Sequence, residues 1–245
     1  VKMRNIKLIY EYDGTNFFFF FRQEKARTVA GEIEKSLKSI LKEEINLVNS
    51  GRTDRGVHAL KQVSNFLTKV KIPAERLQYA LSKALPKDIN LLGLEEVEED
   101  FNARFSAKWR SYIYKLGSKK DIFQRNRVMF VKEDIDIEKL NKILSVLKGQ
   151  HDFGSFRKAD CGARSGIREI YEIYAYKSND EIHIYLKANS FLKSMVRIIV
   201  GSALSVYFGE KSEDYLINKL KNPDMQENGK IMAEPQGLHL YEVEY

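Results

Sequence analysis

The chain has 245 residues, 43% of them hydrophobic and 31% charged, which fits a globular protein with one large or two small domains and excludes a disordered or low-complexity one. Its formal net charge of +7 points to a polyanionic partner, nucleic acid first and an anionic membrane second, with plain solubility as the alternative. The single cysteine, Cys161, excludes an internal disulfide and suits a reducing cytosol.

The opening residues lead into a strand without an apolar signal segment, and no apolar run is long enough to span a bilayer; a cytoplasmic protein is expected. Residues 4–12 alternate around Ile6, Leu8, Tyr10 and Tyr12, as a half-buried strand does. Asp13-Gly14-Thr15-Asn16 reads as a turn. Five phenylalanines follow, Phe17 to Phe21, too many in succession for one face of a regular element. Some of them must be exposed or must meet a partner.

Thr28 caps a helix carrying Val29, Ile33, Leu37, Ile40 and Leu41 at helical spacing. The densest chemistry comes next, in Gly51-Arg52-Thr53-Asp54-Arg55-Gly56-Val57-His58. Both glycines permit positive φ or the close approach of a ligand. Asp54 lies between two arginines, and a nearby cation lowers a carboxylate pKa by roughly 1–3 units, keeping it ionised for nucleophilic or general-base work. The alternative is a turn whose aspartate binds its own backbone. A strand over 62–70, a helix opened by Pro73 and stopped by Pro86, and a strand over 89–100 complete a split βαβ order.

Residues 101–114 interleave basic and aromatic side chains, including Arg104, Arg110 and Tyr112, in a segment expected to be extended. Such a surface suits single-stranded RNA, arginines meeting phosphates and an aromatic face stacking on a base; a strand with one buried aromatic face is the alternative. Residues 127–132 form a short strand, and Asp136 caps a helix that Gly149 closes. His151-Asp152 lacks further ligands at metal spacing. Arg157, Lys158, Arg164 and Arg168 make a basic loop, either facing RNA or merely solvated. A hairpin over 167–188 precedes a helix in which Leu192, Met195, Val196, Ile199 and Ala203 form the buried face. Arg197 lies inside that apolar stretch and needs an anionic partner unless it sits at the helix edge. A short helix from Ser212 and a terminal strand end the chain.

GRTDRGVHA closely resembles the GRTDAGVHA signature of the TruA-type tRNA pseudouridine synthases, with Arg55 in place of a small residue. YDGTNF, Phe101–Tyr114, HDFGSF, Phe191–Gly201 with its MVR, and the PQGL ending, with Glu234 replacing a proline, match other segments of that family in order. The Phe18–Phe21 run does not. The resemblance implies an α+β fold of two ferredoxin-like halves, 1–104 and 105–245, joined in one extended, mostly antiparallel sheet with the active-site cleft between them. It implies isomerisation of uridine to pseudouridine at positions 38 to 40 of the tRNA anticodon stem-loop, without metal or cofactor, by a homodimer. Asp54 then corresponds to the catalytic nucleophile, Tyr112 to the tyrosine against the target base and Arg197 to the partner of Asp54. Arg52, Arg104, Arg110 and Arg168 are candidate substrate contacts. The rival readings are an RNA-binding protein of the same fold that has lost its chemistry, and a nucleoside hydrolase.

Overall fold

The computed structural model describes residues 2–18, 26–225 and 231–245. Phe19 to Phe21, Arg22 and Gln23 lie outside them, and with them most of the expectation about the phenylalanine run. The strands are β1 (Arg4–Tyr12), β2 (Val48–Asn49), β3 (His58–Thr68), β4 (Ile89–Val97), β5 (Trp109–Gly117), β6 (Met129–Phe130), β7 (Gly149–Asp152), β8 (Ile167–Ser178), β9 (Glu181–Ala188) and β10 (Leu238–Glu244). The helices are α1 (Val29–Leu41), α2 (Ala74–Ala84), α3 (Ile137–Ser145), α4 (Met195–Tyr207) and α5 (Tyr215–Lys221). The class is α+β, and the strand pairs β1–β3, β1–β4, β2–β3, β5–β9, β7–β8 and β8–β9 are antiparallel.

The chain divides into two units, residues 1–108 with 240–245, and residues 109–239. The first is discontinuous in sequence. Its strands run β4-β1-β3-β10, with β2 beside β3. Period-two alternation buries Ile6, Leu8, Tyr10 and Tyr12 of β1, and helical spacing buries Val29, Ile33, Leu37 and Leu41 of α1. Burial of each such side chain is worth about 1.5–3 kcal/mol relative to exposure. Thr28 caps α1 by accepting a bond from the Gly31 N–H (3.1 Å). The terminal strand is tied in by the Lys108 N–H to the Glu244 carbonyl (2.8 Å) and the Tyr245 hydroxyl to the Ala103 carbonyl (2.7 Å).

In the second unit the order is β5-β9-β8-β7, with β6 parallel to β5. Leu140 and Leu144 of α3, Ile173 of β8, Ile184 and Leu186 of β9, and Met195, Ile199 and Ala203 of α4 are buried. Asp136 caps α3 by accepting from the N–H groups of Glu138 and Lys139. The helix expected to run to Gly149 stops at Ser145, and Gly149, at φ +99°, opens β7 instead.

One expectation about backbone fails. The extended segment expected over 101–114 begins only at Trp109, and residues 103–106 turn instead. The Asn102 side chain accepts from the N–H groups of Arg104 and Phe105, and Ser106 N–H reaches the Asn102 carbonyl, so a side-chain-capped turn wins over the strand pattern.

Candidate active site

Asp54 sits in the irregular loop between β2 and β3, half-buried, with its carbonyl accepting from Val57 N–H (3.1 Å). Everything around it is fixed from below. Thr53 is buried, and its hydroxyl shares a hydrogen bond with that of Tyr12 (2.7 Å). Gln62, fully buried, accepts from the Ser50 hydroxyl and donates to the Gly51 carbonyl (3.3 Å). His58, 3% exposed, accepts at Nδ1 from Gly14 N–H (2.9 Å), so that nitrogen carries no proton.

Glycine supplies the remaining fit. A Cβ on Gly14 would lie 1.9 Å from the Val57 carbonyl oxygen, so the turn after β1 meets the Asp54 loop backbone to backbone. Gly56 takes φ +81°, where other residues are strained. Gly51 has ordinary φ, and none of the described residues comes within 4 Å of where its Cβ would be. A one-residue register shift in the β1–β3 pairing, between Tyr10 and Tyr12, lies directly beneath the loop, a common place for bulges.

Arg52 and Arg55 project from the loop and are exposed. The Arg55 guanidinium lies over the Phe18 ring, 4.5 Å from its centroid.

In the second unit Tyr112 comes from β5 and is 9% exposed, its ring edge-on to Phe191 (centroids 5.1 Å apart, 89° between planes). Arg197 lies in the first turn of α4 and is 7% exposed, so the reading of a surface arginine at the helix edge fails. Its Nε donates to the Ala233 carbonyl (2.9 Å), while Ala233 N–H donates to the Arg197 carbonyl (3.0 Å).

A family model described as tRNA pseudouridine synthase matches residues 8–106 and 143–245. A protein from Thermoanaerobacter pseudethanolicus named tRNA pseudouridine synthase A is 42% identical over 99% of this chain and 100% of its own length. Proteins of the same name from Caldicellulosiruptor bescii and Acetivibrio thermocellus are 39% and 36% identical, again over 99% of this chain and 100% of theirs. The chain belongs to the tRNA pseudouridine synthase family. A solved structure described as a Cbf5-Nop10-Gar1 complex aligns with 78% of this chain and 52% of its own at 10% identity and a TM-score of 0.35, too little similarity to add to this.

The other arginines picked out for RNA contact differ among themselves. Arg104 is exposed in the Asn102 turn, with its guanidinium 5.3 Å from the centroid of the exposed Phe105 ring. Arg110, on β5, donates to the Asn189 carbonyl (3.1 Å). Arg168 is folded back on its own loop: Nη1 donates to the carbonyls of Ser165 and Ile167, Nε is buried with no hydrogen-bond partner among the described residues, and burial pulls its pKa below the ordinary arginine value. His151 and Asp152 serve the backbone, His151 Nε2 lying 2.9 Å from the Lys148 carbonyl and Asp152 accepting from Gly154 N–H (2.9 Å).

Sequence reading missed the supports of the site. Tyr12 and Gln62 gave no local signal beyond their place in strands, His58 stood out only as the end of the Asp54 segment, and Tyr114 read only as another aromatic. The one available clue was the polar run Gln62, Ser64 and Asn65 in a strand whose residues are mostly buried.

Proposed function

We propose that this protein isomerises uridine to pseudouridine at positions 38 to 40 of the tRNA anticodon stem-loop, with Asp54 as nucleophile. The observation that carries the reading is Asp54 on a loop held from beneath by Tyr12, Gln62 and Gly14, in a chain of the tRNA pseudouridine synthase family. A preorganised carboxylate contributes most when it need not rearrange as charge develops.

The uracil leaves C1′ through N1, turns, and rejoins through C5, and the C5 proton is released. Hydrolysis of a glycosidic bond commonly takes two carboxylates, one of them to activate water. Here the detached base is retained as the incoming group, so a single carboxylate suffices. Tyr112, whose ring packs edge-on against Phe191, stacks on the uracil and assists removal of the C5 proton in this reading. Arg197 pairs with Asp54 and aims it; its burial in α4 supports this, since a buried guanidinium calls for an anion. The target base must leave its stack at a cost of a few kcal/mol, offset by phosphate contacts from Arg52, Arg104 and Arg110, with Arg168 the least available of the four.

The test is tritium release from tRNA labelled at uridine C5. Asp54→Ala is expected to abolish release while tRNA affinity stays within about threefold of wild type, since binding energy is spread over many phosphate contacts. Release at the wild-type rate by that variant would refute the assignment. Wild-type protein that binds tRNA without release is the outcome that supports a binding protein without chemistry, and free uracil as product is the outcome that supports a hydrolase. The family resemblance also supports a homodimer in the cytosol, and light scattering is expected to give twice the chain mass of 28.5 kDa.

A further inference from the structure

Two side chains on different elements of the second unit are held by neighbouring peptide carbonyls of one short segment. Arg197 Nε, from α4, donates to the Ala233 carbonyl (2.9 Å). The Tyr114 hydroxyl, from β5, donates to the Glu234 carbonyl (2.6 Å), with Met129 Sδ a weaker acceptor at 3.2 Å. Residues 231–237 therefore form a strap across the start of α4 and the middle of β5.

Two glycines set its closeness. A Cβ on Gly201, one helical turn beyond Arg197, would lie 1.6 Å from the Ile231 carbonyl oxygen and 2.9 Å from Ala233 N. A Cβ on Gly237 would lie 2.6–2.9 Å from Cζ, Cε1 and Oη of Tyr114. The strap thus lies flat on α4 at one end and on the Tyr114 ring at the other. Ala233 N–H returns a bond to the Arg197 carbonyl, which closes the clamp on that residue (3.0 Å).

We infer that Tyr114 is a positioning residue: through the strap 231–237 it sets the plane of the Arg197 guanidinium, and with it whatever Arg197 contributes to turnover. The argument is geometric. An arginine side chain has four rotatable torsions, and one bond at Nε fixes the plane of the guanidinium only if the acceptor is itself fixed. The Ala233 carbonyl has no side chain of its own to hold it. Its neighbour Glu234 is held by Tyr114, which is fully buried, and burial raises the Tyr114 pKa well above its ordinary value, so the hydroxyl keeps its proton for donation. The inference rests on the reading of Arg197 as the partner of Asp54, and the experiment separates the two.

Single-turnover tritium release is measured for Tyr114→Phe, Arg197→Lys and the double variant, each at saturating enzyme and well below its Tm, alongside tRNA Kd. Misplacement of a catalytic group by about 1 Å costs up to about a hundredfold in rate, so Tyr114→Phe is expected to lose about tenfold or more in rate with Kd within about twofold. The double variant is expected to be no slower than Arg197→Lys alone, because the strap then has no guanidinium to aim. Gly201→Ala is expected to resemble Tyr114→Phe where it folds. The inference is overturned if Tyr114→Phe turns over at the wild-type rate, if its loss lies wholly in Kd, or if the two losses multiply. If Arg197→Lys and Arg197→Ala are both as fast as wild type, it is instead the Arg197–Asp54 pairing that fails.

Discussion

Gly14 shows how strongly a single missing side chain can govern a site it does not enter. The Val57 carbonyl oxygen occupies the space that a Cβ at position 14 would need, 1.9 Å from it, and the obstacle is backbone, which cannot rotate away. Overpacking of a fixed contact costs about 1–3 kcal/mol. Gly14→Ala is therefore expected to lower the free energy of unfolding by that amount, read as a lower urea midpoint at unchanged m, and to slow turnover of the folded fraction, because the Asp54 loop must shift to make room. Equal stability and turnover in the two proteins would show that the turn and the loop are not in close contact. Arg55 shows the opposite freedom. It replaces a small residue of the family signature, yet its guanidinium rests on Phe18, so the extra length is absorbed on the surface.

At the scale of elements, features legible in the sequence were those whose cause is local. Thr28 and Asp136 announce helix starts because a cap bonds two or three residues ahead, and both do so here. Alternation in β1 announces its buried face for the same reason. The turn at 101–106 was misread because Asn102 uses its side chain to satisfy backbone groups, a competition that hydrophobic pattern does not register. Strands β2 and β7 are too short to carry a period. The supports of the candidate site were illegible for another reason: Gly14 with Val57, Gly201 with Ile231 and Gly237 with Tyr114 are each meaningful only as pairs brought together by the fold. Asp54 could be singled out from its charged, glycine-flanked loop, but what fixes that loop could not.

At the scale of the whole molecule, the fully buried tyrosines Tyr10 and Tyr114, one in each unit, give the fold an alkaline limit. Burial raises the pKa of both Tyr10 and Tyr114, opposed at Tyr10 by its hydrogen bond with Ser64 and at Tyr114 by the Arg197 charge. Unfolded tyrosine titrates near 10, as its ordinary value requires. Above that pH the unfolded chain loses these protons while the native chain keeps them, so the stability present at lower pH declines as pH rises. The slope is up to about 1.4 kcal/mol per pH unit for each tyrosine. Urea midpoints between pH 9 and 11 are expected to fall for the wild type and to fall less steeply for Tyr10→Phe, by one proton's worth. Parallel curves would mean that Tyr10 titrates alike in both states.

The discontinuity of the first unit has a consequence for how the protein is made. Residues 1–108 leave the ribosome early, but the strand that lies beside β3, and the tyrosine that bonds the Ala103 carbonyl, are synthesised only after the whole of the second unit. Until that strand emerges, that edge of the nascent sheet offers unpaired amides and carbonyls to any neighbouring chain, the usual invitation to aggregation. The unit that carries Asp54 thus starts before the other and is completed after it.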